Sequence, residues 1–131
     1  MKIRMKGNSL RLRVGRSELA RFLEGGIIEE TIRLGVSPEA SFTYSLELAS
    51  PGSTATRVRY APCDLAIVVT PAQAALWRRG DQVGIYTHVD VGTAKALEVV
   101  VEKDFACLDG SDSDNVDTFA NPGLAATCEA G

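Results

Sequence analysis

The feature that most constrains this chain is an internal repeat with a spacing of 55 residues. Shifted by that spacing, residues 1–48 lie on residues 56–103 without a gap. Seven positions are then identical, and apolar positions coincide at several others, as at Phe22 and Trp77. A repeat of this length restricts the fold to arrangements of two similar supersecondary units. We interpret the chain as an internal duplication, the alternative being two similar units matched by chance.

The sequence pattern of each copy predicts two strands, a helix and two further strands, in that order. Apolar and charged residues alternate on both sides of Gly7-Asn8, which is typical of a hairpin of half-buried strands. In the second copy, Thr70 is a good N-cap and Pro71 suits the first helical position. The first copy is predicted to have strands at 2–6, 10–14, 27–34 and 41–49 and a helix at 17–24. The second copy is predicted to have strands at 56–60, 64–69, 82–89 and 95–103 and a helix at 71–79.

These elements predict an α+β fold with pseudo-two-fold symmetry, about eight strands and two short helices. Most links between consecutive strands are too short for a crossover, so mostly antiparallel pairing is expected. The strands are expected to form a continuous sheet or to close into a barrel. Residues 1–131 are interpreted as a single domain with copies at 1–49 and 56–103, a linker at 50–55 and an acidic, irregular tail at 104–131.

Composition and patterning exclude several classes of protein. No apolar run approaches the 18 residues of a membrane span, so no membrane partner is expected. The charged start of the chain lacks the apolar core of a signal peptide, which favours the cytoplasm. A pI near 5.1, with no aromatic residues between the cations, disfavours nucleic acid as a partner. Three cysteines, Cys63, Cys107 and Cys128, are then expected to be reduced thiols.

The most unusual feature is a row of cations on the first hairpin. With Gly7-Asn8 as the turn, Arg4 is predicted opposite Arg11, and like charges in that position destabilise a sheet. A negative group is therefore expected nearby. It is either a carboxylate of the protein itself or an anionic ligand, because arginine binds phosphate and carboxylate with two hydrogen bonds. The internal candidates are Glu29, Glu30, Glu47, Glu102 and the acidic tail. The hypothetical anion face comprises Lys2, Arg4, Arg11, Arg13, Arg57 and Arg59.

A second candidate site surrounds Cys107. A thiol close to Lys103 is a candidate reactive group with a lowered pKa, and Asp104 could assist it. The alternative is that Cys63 and Cys107 are small buried apolar residues. The cysteine spacing does not match paired zinc ligands, and the acidic stretch after residue 108 fails the calcium-loop pattern. No metal and no cofactor are therefore expected. Two further expectations are an exposed His88 and core positions for Phe22 and Trp77.

Two segments carry a resemblance to a known family. The start, MKIRMKGNSLRLRV, and the closing run, EKDFACL followed by DTFANP, resemble the corresponding motifs of an uncharacterised family of small bacterial proteins. Ala120 stands where that family's closing motif is expected to have proline. The resemblance implies a bacterial, cytoplasmic protein and directs attention to residues 103–108. It implies no activity, cofactor or catalytic residue.

Three hypotheses of function follow from the sequence. The first is a non-enzymatic binding or interaction domain for a small anion or a protein partner, which the lack of a catalytic constellation in the sequence favours. The second is a thiol-dependent enzyme or redox protein that uses Cys107. The third is a structural role through self-association, for example as a homodimer joined by edge strands.

Overall fold

The computed structural model describes residues 1–80, 83–104 and 117–119, which contain eight strands and two helices. The first half has strands β1 (Lys2–Lys6), β2 (Ser9–Val14), β3 (Ile27–Arg33) and β4 (Ser41–Leu48) and helix α1 (Arg16–Gly25). The second half has strands β5 (Arg57–Ala61), β6 (Asp64–Val69), β7 (Gly84–Val89) and β8 (Leu97–Lys103) and helix α2 (Pro71–Arg78). Neither helix is long and apolar enough to cross a membrane.

The strands form two four-stranded mixed sheets, so the predicted α+β class is confirmed. The first sheet has the order β1-β2-β8-β7, and the second has the order β3-β4-β6-β5. The described strands therefore form two separate sheets, and not the single continuous sheet or the closed barrel that the sequence suggested. Buried residues of both sheets and both helices belong to one apolar cluster, so the sheets pack face to face.

Each half of the chain contributes one hairpin to each sheet. The four hairpin pairs are antiparallel, as predicted, but the central pairs β2–β8 and β4–β6 are parallel. The expectation of antiparallel pairing came from the short links between consecutive strands. It did not apply to the central pairs, because each of them joins strands that are far apart in the sequence.

The register of the two sheets repeats with the 55-residue spacing. In the first sheet Ser9 pairs with Glu98, and in the second Asp64 pairs with Thr43, so both partners are shifted by 55. The backbone bonds that flank these pairs repeat as well: Glu98 N–H donates to Asn8 O at 3.1 Å, and Thr43 N–H donates to Cys63 O at 2.9 Å. Exchanging the halves therefore maps one sheet onto the other.

One strand departs from the ungapped repeat. Ile27 pairs with Glu47, whereas Gly84 pairs with Glu102, which puts β3 and β7 at a spacing of 57 residues. Ile28 thus corresponds to Ile85, whereas the ungapped repeat aligns Ile28 with Val83. The cause is that the start of β7 lies two residues farther from the start of α2 than the start of β3 lies from the start of α1.

The core lies between the sheets and under the helices. The rings of Phe22 and Trp77 meet edge to face with centroids 6.4 Å apart, and both side chains are fully buried. The core positions predicted for them are confirmed. Because these residues occupy equivalent positions of α1 and α2, their contact lies where the two halves meet.

The helices begin with related but different caps. Thr70 Oγ1 accepts from Gln73 N–H at 3.1 Å, and Gln73 Oε1 accepts from Thr70 N–H at 2.9 Å. This reciprocal pair is a capping box. At the equivalent position of α1, Gly15 has no side chain that can act as a cap.

Asp117 supplies the missing cap of α1 from the far end of the chain. Its carboxylate accepts from Ser17 N–H at 3.0 Å and from Ser17 Oγ at 2.6 Å, and these bonds lower the pKa of Asp117. A Cβ at Gly15 would lie 2.6 Å from Asp117 Oδ2 and 2.8 Å from Asp117 O. Glycine at position 15 therefore leaves the space that Asp117 occupies.

We predict that Asp117→Gly lowers the free energy of unfolding by about 1 kcal/mol, the usual cost of losing an N-cap. Asp117→Asn keeps an oxygen acceptor and should retain most of the stability. Thr70→Ala removes the side-chain cap of the other helix, at a cost of about 1 kcal/mol, and serves as the matched control. Urea unfolding of the two single variants and the double variant should give additive losses, because the caps lie on separate helices. An Asp117→Gly variant as stable as the wild type would contradict the capping role.

Candidate functional site

The outer surface of the first sheet carries a cluster of cations. Leu10, Leu12 and Val14 of β2 point into the core, so the alternate residues of β2 and their partners on β1 point outward. The predicted pairing of Arg4 with Arg11 and of Lys2 with Arg13 is confirmed. We call the outward set the cation face: Lys2, Arg4 and Lys6 of β1 with Arg11 and Arg13 of β2.

Within the described part of the chain, Glu102 is the internal counter-charge of this face. It lies on β8, next to Arg13 in the parallel register. Its Oε1 accepts from Arg13 Nε at 3.2 Å and lies 3.6 Å from Arg11 Nε. The Tyr86 hydroxyl donates to its other oxygen at 3.4 Å, and burial together with the Glu102 charge raises the pKa of Tyr86. One carboxylate thus lowers the repulsion between two neighbouring arginines.

The lack of a side chain at Gly84 allows β7 to lie close to Glu102. A Cβ at position 84 would lie 2.9 Å from Glu102 Cβ and 2.9 Å from Val101 O. Both contacts are shorter than ordinary packing allows, and one of them is with the backbone. A side chain at this position would therefore displace Glu102 from the arginines.

The cation face keeps an excess of positive charge. Among the described residues, its five cations share the outer surface of the sheet with two carboxylates, Glu98 and Glu102. Lys2 is balanced from outside the sheet, because its Nζ lies 2.9 Å from Asp104 Oδ2. A depression of about 220 Å³ opens where the charge excess is greatest. The polar and charged residues that line it are Arg4, Lys6, Ser9, Arg11 and Glu98.

The structure divides the six residues of the hypothetical anion face between two surfaces. Arg57 and Arg59 lie on β5 in the second sheet, away from the cation face. Arg59 pairs there with Glu47 at 2.5 Å. The proposed six-residue face is therefore corrected to a set of four cations, which Lys6 joins.

Sequence reasoning missed several residues of the depression. The alternation of the first hairpin predicts that Lys6 and Ser9 point to the same side as Arg4 and Arg11. These two residues of the depression could therefore be predicted from the sequence. Glu98 could not, because nothing in the local pattern indicates that β8 lies beside β2. The same holds for Tyr86, which reaches the face through the pairing of β7 with β8.

The described residues of the second candidate site, Lys103 and Asp104, are buried against neighbouring parts of the protein. Lys103 is buried, and its Nζ lies 5.3 Å from the centre of the Phe119 ring. Asp104 is buried too; its N–H donates to Val14 O at 2.9 Å, and its O accepts from Phe119 N–H at 2.8 Å. These contacts join the end of β8 to the start of the chain and to residues 117–119. They give Lys103 and Asp104 structural roles.

Cys107 and Cys128 lie outside the described residues. Cys63 is exposed in the turn between β5 and β6, so the alternative of a buried apolar Cys63 was wrong. Its φ of 66° is the left-handed conformation that a turn requires at this position. Among the described residues, no three His, Cys, Asp or Glu side chains come together as metal ligands would. The predicted exposure of His88 is confirmed.

A second polar cluster, which the sequence did not reveal, surrounds the amino group of Met1. This group donates to Glu18 and, at 2.7 Å, to Glu30 Oε1. The Tyr44 hydroxyl lies 2.9 Å from Glu30 Oε2 and 3.1 Å from Met1 O. Burial and the Glu30 bond raise the pKa of Tyr44 to about 12. These contacts fix the start of β1 against α1 and β3.

Residues 1–123 match the model of a family described as a family of unknown function, DUF7009. The chain belongs to this family. The resemblance to an uncharacterised family is thereby confirmed, and DUF7009 brings no activity to the chain. No curated protein and no solved structure matches the chain significantly. The interpretation of the site in this DUF7009 protein therefore depends on its own geometry.

We predict that Glu102→Gln destabilises the protein by roughly 1–2 kcal/mol, between the values for exposed and buried ion pairs. The loss should be larger at 0.01 M than at 1 M salt, because salt screens the exposed arginines. Glu47→Gln is the matched control: it occupies the equivalent position and pairs with Arg59. It should cost less than about 1 kcal/mol. Equal losses in the two variants, independent of salt, would contradict the role given to Glu102.

We also predict a pH dependence from the Met1 cluster. Burial opposes protonation of the Met1 amino group, but its bonds to Glu18 and Glu30 outweigh this and raise its pKa above 8.0. The stabilisation is then fully present below pH 8.0 and is lost as the pH rises through the folded pKa. Burial raises the pKa of Glu30, but its bonds to Met1 and Tyr44 lower it overall from 4.5. That stabilisation is present above pH 4.5 and is lost as the pH falls through the folded pKa.

Glu30→Gln tests this dependence. The variant should be less stable than the wild type by about 1 kcal/mol near pH 6.5, and the difference should shrink toward both extremes of pH. The measurement is the free energy of urea unfolding between pH 3 and pH 10. A constant difference across that range would show that the charge of Glu30 contributes nothing.

Proposed function

We propose that this protein is a binding domain whose cation face recognises a ligand through an anionic group, either a phosphate or a carboxylate. The observation that carries the proposal is a comparison between the two sheets. The positions equivalent to Arg11 and Arg13 in the second sheet are occupied by Ala66 and Val68, which are buried. The same framework therefore forms without cations at these positions. Cations at these positions are therefore not a requirement of the shared framework, although Arg13 and Glu102 pair with each other in the first sheet, and this difference between the sheets supports a role in binding.

The chemistry of the depression suits a single anionic group. Arg4 and Arg11 lie side by side across β1 and β2 and present planar guanidinium groups, which bind phosphate and carboxylate oxygens in pairs. Lys6 adds a third positive charge, and the Ser9 hydroxyl lies at the same rim. Glu98 repels a second anionic group within the depression, so the depression itself takes one anionic group, whether that group belongs to a small ligand or to a longer segment.

The wider setting is also part of the proposal. We place the protein in the bacterial cytoplasm, because its motifs resemble those of small bacterial proteins and its first strand is charged. We also propose that its halves arose by internal duplication, which the shared register of the two sheets supports. We do not propose nucleic acid as the partner, because Glu98 and Glu102 interrupt the cation face and Tyr86, the aromatic residue of its described part, donates its hydroxyl to Glu102.

Inorganic phosphate tests the anion site. At about ten times its Kd, phosphate should stabilise the wild type by about 1.4 kcal/mol, and the melting temperature should rise by roughly 4 °C. The comparison is with chloride at equal ionic strength. The double variant Arg4→Gln/Arg11→Gln should lose the rise. Arg57→Gln, the same change on the second sheet, should keep it.

Two results would overturn the proposal. One is a wild type that phosphate and acetate stabilise no more than chloride does. The other is an equal loss of the rise in Arg57→Gln, which would indicate general charge screening. Nuclear magnetic resonance of the arginine Nε–H groups gives a second readout, since binding should shift the signals of Arg4 and Arg11.

A further inference from the structure

A groove separates the two sheets along one side of the molecule. It lies between β1, an edge strand of the first sheet, and β3, an edge strand of the second. Its volume is about 750 Å³. The apolar side chains that line it are Met1, Ile3, Met5, Ile32, Phe42 and the ring of Tyr44. Met5 is 55% exposed and Ile32 is 51% exposed, so the end of the groove remote from the Met1 cluster is open.

The backbone of β1 offers hydrogen bonds along this groove. The two-residue turn makes Lys6 and Ser9 a hydrogen-bonded pair, so Lys6, Arg4 and Lys2 bond to β2 in alternation. The N–H and C=O groups of Ile3 and Met5 therefore point to the other side. Among the described residues, β1 has no strand neighbour besides β2. Such an edge is a template for one more strand.

The two faces of β1 differ in chemistry. Ile3 and Met5 point into the groove, whereas Lys2, Arg4 and Lys6 point outward onto the cation face. A strand added beside β1 would place alternate residues opposite these two sets. Residues opposite Ile3 and Met5 would enter the apolar groove, and residues opposite the cations would be paired best by carboxylates.

We propose that the β1 edge binds an extended segment of a partner protein in which acidic and apolar residues alternate. The proposal deepens the anion-binding function and rests on it, because the carboxylates of the segment would be the anions met by Arg4 and Lys6. A second copy of this chain fits less well. Two β1 edges would place cations opposite cations, which disfavours their pairing.

The test uses a capped seven-residue peptide of alternating glutamate and valine. Binding is measured by amide chemical shifts of the wild-type protein. The peptide should bind at least tenfold more tightly than its lysine–valine counterpart and than a peptide of the same composition with its glutamates grouped together. The amides of Ile3 and Met5 should become protected from hydrogen exchange when the peptide is bound.

Met5→Pro removes one edge N–H without removing a bond to β2, and proline is tolerated on edge strands. It should weaken peptide binding by about three- to tenfold, the value of one hydrogen bond. Met5→Ala keeps the N–H and controls for the loss of the side chain. Met5→Pro should leave the phosphate-dependent rise in melting temperature unchanged, because that rise depends on Arg4 and Arg11. Circular dichroism checks that both variants fold.

Three results would overturn the inference. Equal binding of the alternating and grouped peptides would show charge attraction alone, and the anion site would stand without the edge. Equal binding by Met5→Pro and Met5→Ala would show that the β1 backbone is not used. Light scattering that reveals a dimer, lost in Met5→Pro, would assign the edge to a second copy of the chain. If phosphate binding is absent as well, the proposed function fails together with the inference.

Discussion

The parallel pairing of β2 with β8 and of β4 with β6 is the constraint on which the rest of the structure depends. These two pairs join hairpins that belong to different halves of the chain. Without them, each half has two hairpins that do not pair with each other, and a lone hairpin is marginally stable in water. Both sheets and the core between them therefore form together or not at all. The contact of Phe22 with Trp77 follows from this exchange, because it brings both helices over one core.

The same exchange makes the charges of the first hairpin tolerable. Within that hairpin, Arg4 faces Arg11 and every outward residue of β1 is a cation. The carboxylate that offsets them belongs to β8 in the other half of the chain, and Asp104 follows that strand. An isolated first hairpin would have neither group. The electrostatic balance of the cation face is therefore a property of the assembled fold.

The local features of the fold could be predicted from the sequence because they depend on neighbouring residues. The alternation around Gly7-Asn8 gave the register of the first hairpin, and Thr70-Pro71 gave the start of α2. What could not be predicted depends on groups distant in the sequence. The α1 cap comes from Asp117, about 100 residues away, and the counter-charge of Arg13 comes from Glu102. The shifted register of β7 depends on the length of one link, which an ungapped repeat cannot show.

Comparison of the two halves separates the residues that the fold needs from those that it does not. Equivalent positions keep the same contact where the framework requires it, even when the chemistry differs. The Met1 amino group bonds to Glu18, and the Thr56 hydroxyl bonds at 2.9 Å to Gln73, which occupies the position of Glu18 in the second half. Each bond ties the start of a half to its helix.

The outward positions of β2 and β6 show no such agreement. Arg11 and Arg13 are partly exposed and charged, whereas Ala66 and Val68 are small, apolar and buried with Ala49. The shared framework therefore accepts either pair, and in the first sheet Glu102 makes the arginines compatible with it by bonding to Arg13 and lying close to Arg11. Arg4 and Arg11 nevertheless lie opposite each other, and the anion that we propose to bind there would convert their repulsion into attraction.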